Sequence, residues 1–230
     1  MDFRGGWVAP PDREHIEKYP VRVLSLLEMP SAPPMTIGIP WYRSFMEDQL
    51  VKRDRIWYIK DASGGVLGGH AICVPSQWRS DRDAWRKFYN QRDTGECVGY
   101  STSRMMTILN RERYDAPWLY FNAQDNAGQP RDDQAGTYLR SAGEVLRLSG
   151  HKEPLQKDPQ AEQGIAAYRW AQNIDDMRRV LQSPIHDKRN AFPLLNSWGM
   201  DYPHVVWMPY EVAEQVIFQQ DGEAMVVTDR

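Results

Sequence analysis

The chain reads as an α+β protein of two lobes, and three observations carry that reading. Residues 35–74 and 185–230 hold short apolar runs rich in Val, Ile, Phe, Trp and Tyr, punctuated by Gly and Pro, which is how strands look in sequence. Between them, from Cys97 to about residue 182, apolar residues recur at helical spacing. With 230 residues the chain can bury a sizeable core, as one large domain or as two lobes sharing a cleft.

Taken in order, residues 1–20 form an extended polar arm, because Pro10 and Pro11 cannot continue a helix. Residues 21–29 are a short apolar piece, ended by the break at 30–34. A strand is predicted at 35–40, a helical or irregular excursion at 41–50, and strands at 55–59 and 68–74 with a Ser63-Gly64-Gly65 turn between them. Residues 75–91 are polar and aromatic, with Trp78, Trp85, Phe88 and Tyr89 as anchors. A helix is predicted from Cys97 to about Glu112, and a helical or turn segment from Pro117. A polar loop follows at 126–134. The amphipathic helix at 137–148 should stop at Gly150, since glycine ends helices readily. Residues 152–163 read as loop and 175–181 as a short helix. Strands at 192–195, 205–207 and 223–227 complete the chain.

Composition narrows the function classes. Net charge is −3, and the basic residues are scattered, so no nucleic-acid footprint is expected. The chain has only two cysteines, which argues against a disulfide framework and gives poor support to a cysteine-built zinc site. No apolar run approaches a membrane span and residues 1–11 lack a signal-peptide core, so residence in a cytosol is expected, with export by another route left open.

The stretch Gly95-Glu96-Cys97-Val98-Gly99-Tyr100-Ser101 carries the chemistry. Met105, Ile108 and Leu109 continue its pattern, which puts Cys97 in the first turn of a helix. Amides at a helix N-terminus favour thiolate over thiol, and the thiolate is the nucleophile. Glycine on both sides would admit a close backbone. Taken alone, Cys97 equally suits a small buried hydrophobe.

Three more residues join it. Gln91, six residues before Cys97, has an amide suited to an oxyanion, together with the Cys97 N–H. His70 follows two glycines and precedes a strand, which would expose its ring at a strand end. Asn196 opens Asn196-Ser197-Trp198-Gly199; its amide oxygen suits an imidazole N–H, with Trp198 as a shield from water, although the tetrapeptide also suits a plain turn.

A glutamine at that spacing, a Gly-x-Cys opening a helix, a His-Ala strand and Asn-Ser-Trp-Gly together resemble the papain-like cysteine peptidases. The stretches 136–140 and 206–211 are similar to parts of compact bacterial and phage-encoded members. The resemblance implies a two-lobed fold, helical lobe plus antiparallel β lobe with a cleft between them. It implies peptide-bond hydrolysis with Cys97 as nucleophile, His70 as general base and acid, Asn196 as orienter and Gln91 as oxyanion donor. No cofactor or metal is needed, and the partner is a peptide or protein substrate, with no nucleic acid and no membrane.

The family order is Cys, His, Asn, whereas here His70 precedes Cys97. Moving residues 35–74 to follow Pro184 would restore the order, so this block is expected to be displaced in sequence while keeping its place in the β lobe. The division is then an N-terminal arm at 1–34, a β-lobe segment with His70 at 35–74, a helical lobe with Cys97 at 75–184, and a β-lobe segment with Asn196 at 185–230. The conventional-order candidate is His186, in a polar, turn-like stretch. His151 and His204 are expected to be structural or solvated, His15 solvated, and Cys73 buried on the strand face opposite His70. The arm shows no obvious inhibitory pro-segment, yet it is long enough to cross the cleft. Two alternatives stay open: a catalytically silent papain fold serving as a structural or binding component, for example of a phage particle, and an amidase or acyltransferase using the same Cys-His site.

Overall fold

A computed structural model describes residues 5–11, 33–76, 89–199 and 202–229. The expectations for residues 21–29, His15, Trp78, Trp85 and Phe88 fall outside them. The expected α+β class is observed. Eight strands form one sheet in the order β2-β3-β7-β6-β4-β1-β8-β5. They are β1 (Met35–Tyr42), β2 (Val51–Arg53), β3 (Ile56–Tyr58), β4 (Val66–Val74), β5 (Ala167–Trp170), β6 (Ala191–Leu195), β7 (Val205–Pro209) and β8 (Glu223–Asp229). Neighbouring strands run antiparallel, except that β3 runs parallel to β7.

The central strands show why this stretch of sequence becomes sheet. Side chains alternate between faces every second residue. Ile37, Ile39 and Trp41 of β1, Ile72 and Val74 of β4, and Ala224 and Val226 of β8 enter one core. Ala71 and Cys73 of β4, with Met225 and Val227 of β8, enter a second core on the other face. Central strands buried on both faces need near-continuous apolar runs, which residues 35–41 and 71–74 supply. Cys73 is fully buried on the face away from His70, as expected, and burial pushes its thiol up to about 12.

Three helices supply the second core: α1 (Cys97–Asn110), α2 (Ala116–Asn126) and α3 (Leu139–Ser149). Helix α1 packs on β4 and against α2. It ends at Arg111, in the left-handed region at φ 63°. The Asp115 side chain caps α2 by accepting from Trp118 N, and Gly150 ends α3 at φ 78°. Helix α4 (Ile174–Leu181) packs Met177, Val180 and Leu181 into the first core, and the Asn173 side chain caps it by accepting from Asp176 N. No helix among the described residues is long and apolar enough to cross a membrane.

The structure departs from the sequence reading in five places. His70, expected with its ring exposed at a strand end, lies inside β4 and is fully buried. β2 is an exposed three-residue edge strand, Val51-Lys52-Arg53, with no apolar face to mark it. β5 lies within the segment assigned to the helical lobe and pairs with β8 at the sheet edge. Residues 184–189 are a short helix, α5 (Pro184–Arg189), and not a polar turn. Residues 210–219, expected to continue a closing strand as far as 211, coil after β7 into α6 (Tyr210–Ala213) and a π-helical turn, Glu214–Gln219.

Candidate active site

Cys97 is the first residue of α1 and is fully buried. Its sulfur accepts from the backbone N–H of Ala71, on β4, at 3.2 Å, and from that of Gly6, in the N-terminal arm, at 3.1 Å. The site therefore forms where the start of α1 meets the middle of β4. β6 pairs with β4 at Cys73↔Leu195. Beyond that point the β4 groups on this side bond elsewhere: Ala71 N–H to the sulfur, and Gly69 C=O to the Trp7 N–H at 3.2 Å.

His70 lies between those two residues and faces the first core, where no water reaches it. Trp198 stacks on its ring, with centroids 4.7 Å apart, and Trp41 meets it edge-on at 4.8 Å. Asn196 follows β6 directly. Its Oδ1 accepts from the Ser197 N–H at 2.7 Å and lies 3.0 Å from His70 Nε2. An amide oxygen can only accept, so Nε2 carries the proton and Nδ1 holds the imidazole lone pair. Gln91 is held in the same region. Its N–H donates to Ser197 O at 2.8 Å, Ser197 Oγ donates to its Oε1 at 2.6 Å, and its Nε2 donates to Thr94 O at 2.7 Å. The Asn196-Ser197 pair thus tethers His70 by one residue and Gln91 by the next.

Burial sets the electrostatics. It pushes the Cys97 thiol up to about 11, against the downward pull of the N–H groups of Ala71, Gly6, Trp7 and Val98. It pushes His70 down to about 4, against the upward pull of Asn196. Between those values both groups are neutral. Glu96, next to Cys97, is raised to about 7 by burial and by the charges of Asp133 and Asp115.

The arm was not foreseen in this detail. Residues 6–8 run extended across the sulfur. Thr137 N donates to Gly6 O at 2.8 Å, and Val8 N donates to Thr137 O at 3.1 Å, as in a parallel bridge. Trp7 pairs with Gly69 on the other side. The approach is so close that a Cβ on Gly6 would sit 1.7 Å from Gly95 O, and one on Gly136 2.0 Å from Gly6 O. The glycine that admits the arm is thus Gly6, whereas a Cβ on Gly95 would lie 2.8 Å from Gln134 O, so Gly95 makes room for the 133–134 loop. A Cβ on Gly99 would lie 2.5 Å from Ala116 O, so its role is the close packing of α1 on α2.

His186 and His151 lie apart. His186 is buried on α5, edge-on to Phe192 and Trp207 at 6.0 Å each, at the end of β6 away from Asn196. Its polar stretch forms a short helix and not a turn, and the buried ring anchors that helix. His151 is buried, bonded to Ser103 Oγ at 2.9 Å and stacked on Tyr114 at 4.6 Å, a structural role as expected. Sequence reasoning gave no role here to Gly6, Trp7, Thr137 or Glu223, whereas Gly69 and Ser197 stand inside the patterns that nominated His70 and Asn196. Only the Gly136-Thr137 step carried a signal, since a glycine beside a predicted helix start marks backbone open to a partner.

No protein-family model matches the sequence, and no curated protein matches it. Among solved structures, xylellain, a cysteine protease from Xylella fastidiosa, is similar at 15% identity and a TM-score of 0.47, covering 68% of this chain and 86% of that one. A structure concerning the mite allergens Blo t 1 and Der p 1 is similar at 10% identity and a TM-score of 0.45, covering 80% of this chain and 77% of that one.

Proposed function

We propose that the chain is a papain-like cysteine peptidase with Cys97 as nucleophile, His70 as general base and acid, Asn196 as orienter, and Gln91 with the Cys97 N–H as oxyanion donors. One observation carries the reading: an extended peptide backbone already lies on the Cys97 sulfur, held by Thr137 on one side and Gly69 on the other. A groove that holds main chain in this way at a helix-borne thiol is built for a peptide.

With the arm docked, thiol and imidazole are both neutral. Departure of the arm lets water in, which relieves the desolvation that separates their pKa values. The proton passes from Sγ to His70 Nδ1, and the thiolate attacks a substrate carbonyl. The imidazolium then protonates the leaving amine; the neutral imidazole so formed takes a proton from the water that hydrolyses the acyl-enzyme and returns it to Sγ as the thiolate leaves. Asn196 keeps Nε2 protonated and the ring aimed, and Trp198 and Trp41 hold the ring between them. Chain order does not enter this chemistry, which needs only the geometry. The order β6-β4-β1-β8 supports a displaced block, since strands from 35–74 lie between strands from the last 40 residues.

The silent-fold reading draws on the buried thiol, which is inert while covered. Labelling with a peptidyl epoxide, read by intact mass, tests both readings in the full chain with Gly6→Ala, alone and combined with His70→Ala. Fast single labelling at Cys97 that His70→Ala abolishes, with release of amidocoumarin from peptide substrates, is the expected result. Labelling no faster than that of free cysteine in either variant moves the assignment to a silent fold.

A further inference from the structure

The sheet edge formed by β2 carries a pattern that the cleft does not use. β2 is the outermost strand, and among the described residues no other strand meets its outer side. Its Lys52 and Arg53 are exposed and, being consecutive on a strand, point to opposite faces. Each leans on an aromatic ring of β3. Lys52 Nζ lies 4.9 Å from the centre of the Trp57 ring, and the Arg53 guanidinium lies 6.0 Å from that of Tyr58. On the Arg53 face the pattern continues inward. Tyr58 is paired with Trp207 of β7, so the two side chains share that face. Arg189, at the end of α5, lays its guanidinium 4.9 Å over the Trp207 ring and donates from Nη1 to the Tyr58 hydroxyl at 2.7 Å.

These cations have no acids of their own. Among the described residues no carboxylate pairs with Lys52, Arg53 or Arg189, and the buried Nε of Arg189 has no acceptor. Asp187, on the same helix as Arg189, is taken by Arg178 at 2.9 Å and by the Tyr210 hydroxyl at 3.1 Å. A ring beneath a guanidinium holds it flat and leaves its N–H edge open to a carboxylate, which it can bind through two parallel bonds.

We propose that β2 is a docking edge for an extended acidic segment of a partner protein. The segment adds to the sheet as a new strand and sets carboxylates against Arg53 on one face and Lys52 on the other. Neighbouring strands lie about 4.8 Å apart and opposed side chains about 5 Å apart, so consecutive acids on the added strand meet consecutive cations on β2. A nucleic-acid backbone would engage the cations of one face and leave the main-chain edge unused. Lysine and arginine on an edge also keep apolar strands away; the same charges admit an acidic one. Three residues offer few main-chain bonds, so charge supplies much of the affinity. The edge is separated from β4 by β3, β7 and β6, and its role does not depend on the peptidase reading.

The test uses the full chain carrying Cys97→Ala, so that no turnover consumes the probe. The probe is a fluorescein-labelled peptide of threonine and valine with a central run of glutamates, and binding is read by anisotropy. Two relatives of it are compared: one with glutamine in place of glutamate, and one N-methylated at alternate main-chain amides. Each should bind at least about tenfold more weakly than the acidic peptide. The charge reversal Lys52→Glu/Arg53→Glu should weaken the acidic peptide about tenfold. Lys157→Glu, exposed in a different loop, should leave its affinity within about twofold. Equal binding of the glutamine peptide, an edge reversal without effect, or no binding at about 1 mM peptide overturns the proposal. So does binding that N-methylation does not weaken, or tighter binding of a single-stranded oligonucleotide of equal charge, since either marks a general polyanion surface. The peptide comparisons decide the matter whether or not the charge-reversed variant folds.

Discussion

Gly6→Ala should unlatch the arm. A Cβ at this position would fall 1.7 Å from the Gly95 carbonyl oxygen, a backbone atom beside the nucleophile with little room to retreat, so the arm must lift. Five hydrogen bonds hold residues 6–8: Gly6 N to the sulfur, Trp7 N to Gly69, Thr137 N to Gly6, Val8 N to Thr137, and the indole to Glu223. At about 1 kcal/mol each they contribute about 5 kcal/mol, and burial of the indole adds about 2–3 kcal/mol. Ordering three residues and one large side chain costs about 4–7 kcal/mol. The surplus is about 2 kcal/mol, so the wild-type arm is open roughly 3% of the time and full release raises access to Cys97 roughly 30-fold. The assay is iodoacetamide labelling at fixed pH, read by intact mass, with buried Cys73 as the internal reference. A wild-type labelling rate in Gly6→Ala, with the variant melting like wild type, would refute the reasoning.

Further expectations follow from the same geometry. With the arm docked, the thiolate of Cys97 forms only as pH rises toward about 11; the labelling rate of wild type should climb across that range, and Gly6→Ala should shift the climb to lower pH. His70, His151 and His186 are held neutral by burial, at about 4, 3 and 4. A depressed folded pKa contributes stability that is present above the unfolded value near 6.5 and lost as pH falls through the folded values. Urea midpoints should accordingly fall from pH 6.5 to pH 4. Glu96, raised to about 7, opposes this with stability present below its unfolded value and lost as pH rises through 7, so Glu96→Gln should flatten the neutral end of the profile. Asn196→Ala should cost about 1–3 kcal/mol by urea unfolding, the price of stripping a buried imidazole N–H of its acceptor. Gly99→Ala should cost about 1–3 kcal/mol through overpacking of α1 on α2 without the labelling gain of Gly6→Ala, which separates a packing glycine from a latch glycine.

The sequence made some of this legible for physical reasons. β1, β4 and β8 are buried on both faces and announce themselves as apolar runs, and α1 announces itself by the spacing of Met105 and Ile108. Cys97, His70 and Asn196 could be nominated because their neighbours, Gly95, Ala71 and Trp198, form local patterns. β2 and β5 were illegible because they are edge strands of three and four residues, with no apolar face long enough to show a period. The arm was illegible for a different reason. It docks through main-chain groups, which every residue carries. The partners that force Gly6 and Gly38 to be glycine, Gly95 and Trp7, are distant in sequence, so nothing beside either glycine marks it.

The bond between Trp7 and Glu223 ties assembly to synthesis. A chain emerging from the ribosome folds from its N-terminal side as it appears. β1 and β4 emerge before every other sheet element except β2 and β3, and they pair at the middle of the sheet. β6 and β8 are added to their two flanks later. Asn196 arrives with the first flank and Glu223 with the second. The indole thus waits through more than two hundred residues for the carboxylate that fastens it. The clasp over the thiol closes only on a chain whose sheet is complete, so a truncated product lacking β8 carries Cys97 without its fastened cover.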